Sequence, residues 1–207
     1  MRGRTQERIF TAMYRAGAWG ASDSRSGSGA SLEQTRAVRD ALPALVRELG
    51  CQSVLDIPCG DFFWMRTVEL DVDYTGADIV AEMIERNATL YAGAKRRFVR
   101  LDLTRDELPR VDLVLCRDCL GHLPNAAIFD ALRNVRRSAS SYLLTTTFAE
   151  RRANEDIPTG AWRPINLRLP PFGLPPAIEV ISEKHPAVGY RDKCLALWRI
   201  ADIPDFC

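Results

Sequence analysis

Residues 54–64 read VLDIPCGDFFW. An apolar run opens the stretch, Asp56 interrupts it, and a turn built on Pro58 and Gly60 follows at once. A run this short, bounded by turn residues, reads as a strand over Ser53 to Ile57 that is buried on both faces. Working outward, Asp71 to Asp78 predicts a second strand, Phe98 to Leu103 a third, Val111 to Cys116 a fourth and Tyr142 to Phe148 a fifth. Helices fall between them. Val80, Met83, Ile84 and Leu90 mark one that closes at Gly93, and Ile128, Phe129, Leu132 and Val135 form the stripe of another, capped by Asn125. Upstream, Ile9, Phe10, Met13 and Tyr14 recur at helical spacing, and Ser31 with Gln34 forms a capping-box pattern. Pro43 is expected to kink or restart that second helix, and Gly50 to end it. Strands alternating with helices imply right-handed crossovers and a parallel sheet covered on both faces. Two further strands, about 178–183 and 194–200, can close the sheet antiparallel. The expected class is α/β: a Rossmann-like, doubly wound, mostly parallel seven-stranded sheet with an antiparallel last strand.

The chain has 207 residues, which suits one domain over 1–207. Apolar residues make up 46% and charged residues 27%, which excludes a collagen, a coiled coil and a wholly disordered chain. The net charge is +1, so there is no basic footprint for nucleic acid or an anionic membrane. No apolar run reaches the ~20 residues that span a bilayer, and the start lacks the apolar core of a signal peptide. The expected location is the cytoplasm. Cys51, Cys59, Cys116, Cys119, Cys194 and Cys207 are scattered and read as small buried hydrophobes. Cys116 and Cys119 form C-x-x-C, but a zinc site would want a second pair.

Ligands of open α/β sheets bind at the carboxyl ends of the strands. Acids stand there in succession: Asp56 and Asp61 around the first turn, Asp78 after strand two, Asp102 after strand three, and Asp118 after strand four. An acid after strand two is placed to grip ribose hydroxyls. The first turn has a single glycine and acids on both sides, where a dinucleotide site needs G-x-G-x-x-G. Asp56 and Asp61 would repel a pyrophosphate and suit a cation with an amino group and a sulfonium.

VLDIPCGDFFW resembles motif I of the class I S-adenosylmethionine (SAM) methyltransferases. The likeness is greatest to a small bacterial group with a Pro-Cys-Gly-Asp-Phe turn, a Cys-Arg-Asp-x-Leu-x-His segment and a Leu-Leu-Thr-Thr-Thr-Phe strand. It covers about residues 50–148, with the closing strands 178–200. Pro58 and Cys59 depart from the commoner small residues of this turn, and Asp61 replaces a usual glycine. The resemblance implies that Asp56, Pro58 and Gly60 line the methionine part of SAM. It implies that Asp78 bonds the ribose, with Ile79 against the adenine and Asp102 and Leu103 at the adenine edge. Arg117 is implied to face the cofactor, and the whole chain to be one methyltransferase domain.

A methyl acceptor that is an alcohol needs a base to take its proton. His122, just past the strand-four tip, and Asp118 are both candidates, and Asp118 could instead orient His122. Residues 149–177 have little periodicity and read as an acceptor-recognition insert. Its Asn154, Glu155, Asp156, Trp162, Arg163 and Asn166 suit a polyhydroxyl ligand. Tyr190 could face the site, and residues 1–31, with Trp19, Ser26, Gly27 and Gly29, could form a lid. The expected function is SAM-dependent methylation of a hydroxyl on a small molecule, foremost a sugar or glycan unit. Methylation of an amine, carboxylate or protein side chain, or a non-catalytic SAM-binding domain, are the alternatives. A divalent metal is allowed but not indicated, since acids 61, 118 and 156 make no recognisable cage. The oligomeric state is open.

Overall fold

The computed structural model describes residues 2–20 and 23–206, the side chains of residues 2–5 excepted. Cys207 and residues 1, 21 and 22 of the expected lid lie outside the described residues. Seven strands form one sheet: β1 (Ser53–Asp56), β2 (Asp73–Asp78), β3 (Arg96–Arg100), β4 (Leu113–Cys116), β5 (Tyr142–Phe148), β6 (Glu179–Ser182) and β7 (Lys193–Arg199). Their order is β3-β2-β1-β4-β5-β7-β6. The pairs among β1–β5 are parallel, and β7 runs antiparallel to both β5 and β6. The helices are α1 (Arg2–Ala16), α2 (Arg36–Glu48), α3 (Ala81–Tyr91) and α4 (Asn125–Arg137).

Period-two alternation sorts the strand residues into two cores. Val54, Leu113, Leu115, Leu144, Leu195 and Leu197 pack with Val38, Leu42, Leu45 and Val46 of α2. Leu55, Val114, Cys116, Leu143, Ala196 and Trp198 face the other way, onto Ile128, Ala131, Leu132 and Val135 of α4. Both faces are dry, so the strands read as continuous apolar runs. The strand order reverses between β1 and β4, and this switch point opens a crevice at their carboxyl ends.

Several local expectations change. The second helix begins at Arg36, not Ser31; Ser31 Oγ accepts the Gln34 N–H (3.2 Å) in a turn that precedes it. Pro43 sits inside α2 without ending it. Asn125 is the first residue of α4 rather than its cap. Its N–H is satisfied by Asp156 Oδ1 at 2.7 Å, from a loop 31 residues on. Residues 149–177 carry no helix or strand, yet they are packed: Ile165, Leu167, Phe172 and Leu174 are buried in the α4-side core. No helix among the described residues is long and apolar enough to cross a membrane.

Gly76, paired with Asp56 across the β1–β2 register, matters for the site above it. A Cβ there would lie 2.7 Å from the Phe98 ring and 3.2 Å from Cys59 Sγ. The Phe98 ring is held in turn by Phe62 and Tyr74, at centroid distances of 5.1 and 6.2 Å. Gly76→Ala should therefore overpack this spot and cost about 1–3 kcal/mol, read as a lower urea midpoint. An unchanged midpoint would mean that Phe98 moves aside freely.

Candidate active site

The crevice at the switch point is built from strand tips. Asp56, Pro58, Gly60 and Asp61 come from the turn after β1, and Asp78, Ile79 and Val80 from the end of β2. Asp102 and Leu103 follow β3, and Arg117, Asp118 and His122 follow β4. All the expected cofactor and catalytic residues thus line one cleft. Trp19 joins them, with Phe10 and Gln6 of α1. Five carboxylates and one guanidinium border the cleft, among apolar groups such as Trp64, Met83, Leu101 and Leu123.

The turn after β1 reaches its shape through two residues at positive φ, Gly60 (57°) and Phe62 (59°). Phe62 keeps this sparsely populated conformation because its ring is fully buried against Tyr74, Tyr91 and Phe98. Of the three aromatics that end the motif, Trp64 lines the cleft. Asn87 of α3 supports the turn from beneath, donating to the Gly60 carbonyl at 2.8 Å.

Asp56 and Asp78 are buried. Burial pushes the Asp56 carboxyl up to about 7, against the hydrogen bond that Tyr74 OH donates to Oδ2 at 2.5 Å. Burial likewise raises Asp78 to about 6, although it accepts the Val80 N–H (3.0 Å) and the Gly60 N–H (3.2 Å). Both would ionise more readily beside a cation.

Asp61 faces the N-terminal arm instead. It accepts from Ser24 Oγ (3.0 Å), Arg25 N–H (2.8 Å), Ser26 Oγ (3.2 Å) and Phe63 N–H (3.2 Å). Its lone pairs are committed to the arm, so the expectation of a ligand contact gives way to a clasp. Asp102 Oδ1 accepts both the N–H (2.9 Å) and the hydroxyl (2.7 Å) of Thr104, and so shapes the turn after β3.

The two candidate bases differ. Asp118 meets Lys193 Nζ at 2.7 Å and Arg117 Nη1 at 3.1 Å, and Glu183 completes the cluster on Arg117 (2.5 Å) and Lys193 (3.1 Å). Burial would raise the Asp118 carboxyl, but the two cations outweigh it and hold it well below the usual range. A carboxylate that weakly basic is a poor proton acceptor near neutrality. His122 Nδ1 lies 3.1 Å from the Ala161 carbonyl. A carbonyl can only accept, so the proton sits on Nδ1 and Nε2 carries the lone pair. Burial lowers the His122 pKa, outweighing the opposing pull of Asp118. The ring is oriented by Ala161, not by Asp118 as expected.

The expected acceptor-binding residues of 149–177 do not reach the cleft. Asp156 caps α4. Arg163 is buried and donates to the carbonyls of Leu120, Gly121 and Glu155 and to Asn125 Oδ1. Asn154 and Asn166 bond backbone groups of their own loop. Trp162, 43% exposed, stands edge-on to Tyr190 at 5.1 Å, and both contact Phe148 outside the cleft lining. Sequence reading missed Tyr74 and Lys193. Their signal was faint, since each sits inside or beside an apolar strand run.

The strand-tip acids, the single-glycine turn and the switch-point crevice lie together in one cleft. Residues 55–141 match the family model of a methyltransferase domain. The chain is also similar to an uncharacterized methyltransferase of Mycobacterium tuberculosis and to one of Mycobacterium bovis, each 34% identical over 87 residues. That stretch is 41% of this chain and 44% of theirs, so the chain spans less than half the length of these curated relatives in the match. Among solved structures, the fold resembles human N-acetylserotonin methyltransferase in complex with SAM, with a TM-score of 0.60 and 13% identity. The match covers 92% of this chain and 58% of that one. The pyocyanin biosynthetic protein PhzM aligns with a TM-score of 0.59 and 16% identity, over 80% of this chain and 55% of that one.

The cleft of this methyltransferase-like fold fits SAM. Asp78 gives it a buried carboxyl, and Ile79, Val80, Met83, Leu101 and Leu103 an apolar flank, groups that suit hydroxyls and a flat base. The acid excess suits the ammonium and sulfonium. Among the described residues, no group of three or more His, Cys, Asp or Glu side chains is placed to hold a metal ion.

Asp78→Ala should weaken SAM binding by tenfold or more (about 1.4 kcal/mol), read by calorimetry. Affinity should also depend on pH. With Asp56 near 7 and Asp78 near 6, both are ionised above about pH 7 and gain protons as the pH falls. SAM binding should therefore weaken from pH 7.5 to 5.5 and release protons near pH 6.5. Heats independent of buffer ionisation enthalpy at that pH would refute this.

Proposed function

We propose that the protein is a SAM-dependent methyltransferase whose acceptor is a hydroxyl of a small molecule, with His122 as the general base. One observation carries the choice of a hydroxyl. The Nδ1–H of His122 is committed to Ala161, which leaves Nε2 as an open acceptor on a ring that borders the cleft. Bound SAM supplies a methyl group activated by the sulfonium. Asp78 and the apolar groups after β2 and β3 would hold its adenosine half, and Asp56 and the Gly60 turn would face its amino-acid half. His122 Nε2 takes the proton that the hydroxyl loses as its oxygen is methylated. Asp118 stays ionised within its cation cluster, on the same side of the cleft, and offsets the imidazolium charge.

The described part of the N-terminal arm, residues 6–20 and 23–31, serves as a cover. Phe10 and Trp19 stack at 6.5 Å and pack against Ile79, Val80 and Met83, on the adenine side. Ser24, Arg25 and Ser26 clasp Asp61. Within the acceptor class, the saccharide reading now leans on the exposed Trp162 face, because the amides and charges around it serve the loop. The cytoplasm is the location in keeping with this reading.

The test is a screen of alcohols, sugars and amines with labelled SAM. His122→Ala should lower kcat by about 10²–10⁴ while SAM affinity stays within twofold. Because burial lowers the His122 pKa, turnover should hold as the pH falls through 6.5 and drop only below that. Unchanged turnover in His122→Ala would remove His122 from the mechanism, and no heat with SAM or S-adenosylhomocysteine would remove the cofactor.

A further inference from the structure

The His122 turn is gripped from one side. Residues 160–163 bond it through three backbone contacts: Gly160 N–H to the His122 carbonyl (3.0 Å), Arg163 N–H to the Gly121 carbonyl (3.1 Å), and Ala161 O to His122 Nδ1 (3.1 Å). The Arg163 side chain adds four more. Nη1 donates to Leu120 O (3.0 Å) and Gly121 O (3.1 Å), Nη2 to Asn125 Oδ1 (2.9 Å), and Nε to Glu155 O (3.1 Å). This guanidinium spends its fork on neutral acceptors, although it is 6% exposed. Burial of that kind lowers its pKa, and Asp156 is the charge that counters it. A buried cation without a direct carboxylate partner is costly unless its donors are all used in fixed places. The packing leaves no slack. A Cβ on Gly121 would lie 3.0 Å from the Arg163 carbonyl.

We propose that Arg163 is a positioning residue. Its fork ties the 120–122 turn and the start of α4 to the 155–163 loop, and so holds His122 against Ala161 as the Nδ1–H tautomer with Nε2 free. A lysine could not do this, because an ammonium cannot reach acceptors spread over four residues in one plane. The charged groups that act on His122 are Asp118, Arg163 and Lys193. The clamp therefore works by geometry on a ring whose local field is otherwise fixed. The effect on turnover rests on the reading of His122 as base, whereas the tautomer does not.

The test uses ¹⁵N NMR of the His122 ring in the full chain, assigned with His122→Ala. Wild type should show one tautomer, protonated at Nδ1. Arg163→Lys keeps the charge and loses the fork. It should give mixed tautomers, a His122 pKa closer to about 6.5, and kcat lower by about 10- to 100-fold with the KM for SAM within twofold. Gly121→Ala presses on the Arg163 backbone and pushes the same contact apart while keeping the guanidinium, should shift the ring in the same direction, and decides the matter if Arg163→Lys does not fold. A single Nδ1–H tautomer with unchanged pKa in a folded variant would overturn the proposal. A shifted tautomer with unchanged turnover would sustain it and overturn His122 as base.

Discussion

Two carboxylates held out of bulk water at neighbouring strand tips set the terms for the rest of the molecule. Asp56 and Asp78 are buried, and Asp78 adds to the difficulty of ionising Asp56. Leaving such groups without donors would cost several kcal/mol. The sheet supplies the donors. Tyr74, Gly76 and Asp78 share one face of β2 by the two-residue period, so the Tyr74 hydroxyl can reach Asp56. The missing side chain at Gly76 admits Phe98, which with Phe62 keeps water from that bond. The amide of Gly60, where the chain turns at positive φ, and the amide of Val80, just before α3, both serve Asp78. Turn, aromatic cluster and glycine are thus one arrangement that holds two buried carboxyls at neighbouring strand tips with donors for both.

The polar groups after β4 do something different. Arg117, Asp118, Glu183 and Lys193 neutralise one another almost completely, tying β4 to the hairpin of β6 and β7. Truncating any single member would leave a charge buried without its partner, which is the expensive case. The cluster offers little to a proton and much to rigidity. Division of labour follows: carboxylates after β1 and β2 stay responsive, and the one after β4 is locked.

The strands, their mostly parallel sheet and its antiparallel closure were legible because apolar runs, turn residues and alternation with helices constrain one another over many residues. The strand-tip acids were legible for the same reason, since topology alone brings the ends of β1, β2, β3 and β4 together. The 149–177 segment was not. A polar side chain in an aperiodic loop can face a ligand or its own backbone, and only the path of the chain decides. Asn154 and Asn166 bond the backbone of their own loop, Arg163 is buried against the 120–122 turn, and the exposed Asp156 reaches the first N–H of α4, because a packed loop without helix or strand must find partners for its polar groups. Asn125 is not a cap for a related reason: it is the first residue of α4, its Oδ1 accepts from Arg163, and a carboxylate 31 residues away takes its N–H. Asp61 shows the converse. It borders the cleft, but its hydrogen-bonding capacity went to Ser24, Arg25 and Ser26.

The antiparallel β7 lies between β5 and β6, so it fills an interior place in the sheet although it is the last strand made. During synthesis, β5 can pair with β4 but must keep its other edge bare until Lys193–Arg199 has emerged. That edge runs along Leu143 and Leu144, an apolar template of the kind that recruits foreign strands. A nascent or truncated chain ending before residue 193 would carry the cofactor motif complete and still be prone to aggregate. The cover of that β5 edge therefore comes from a strand made long after the turn that follows β1.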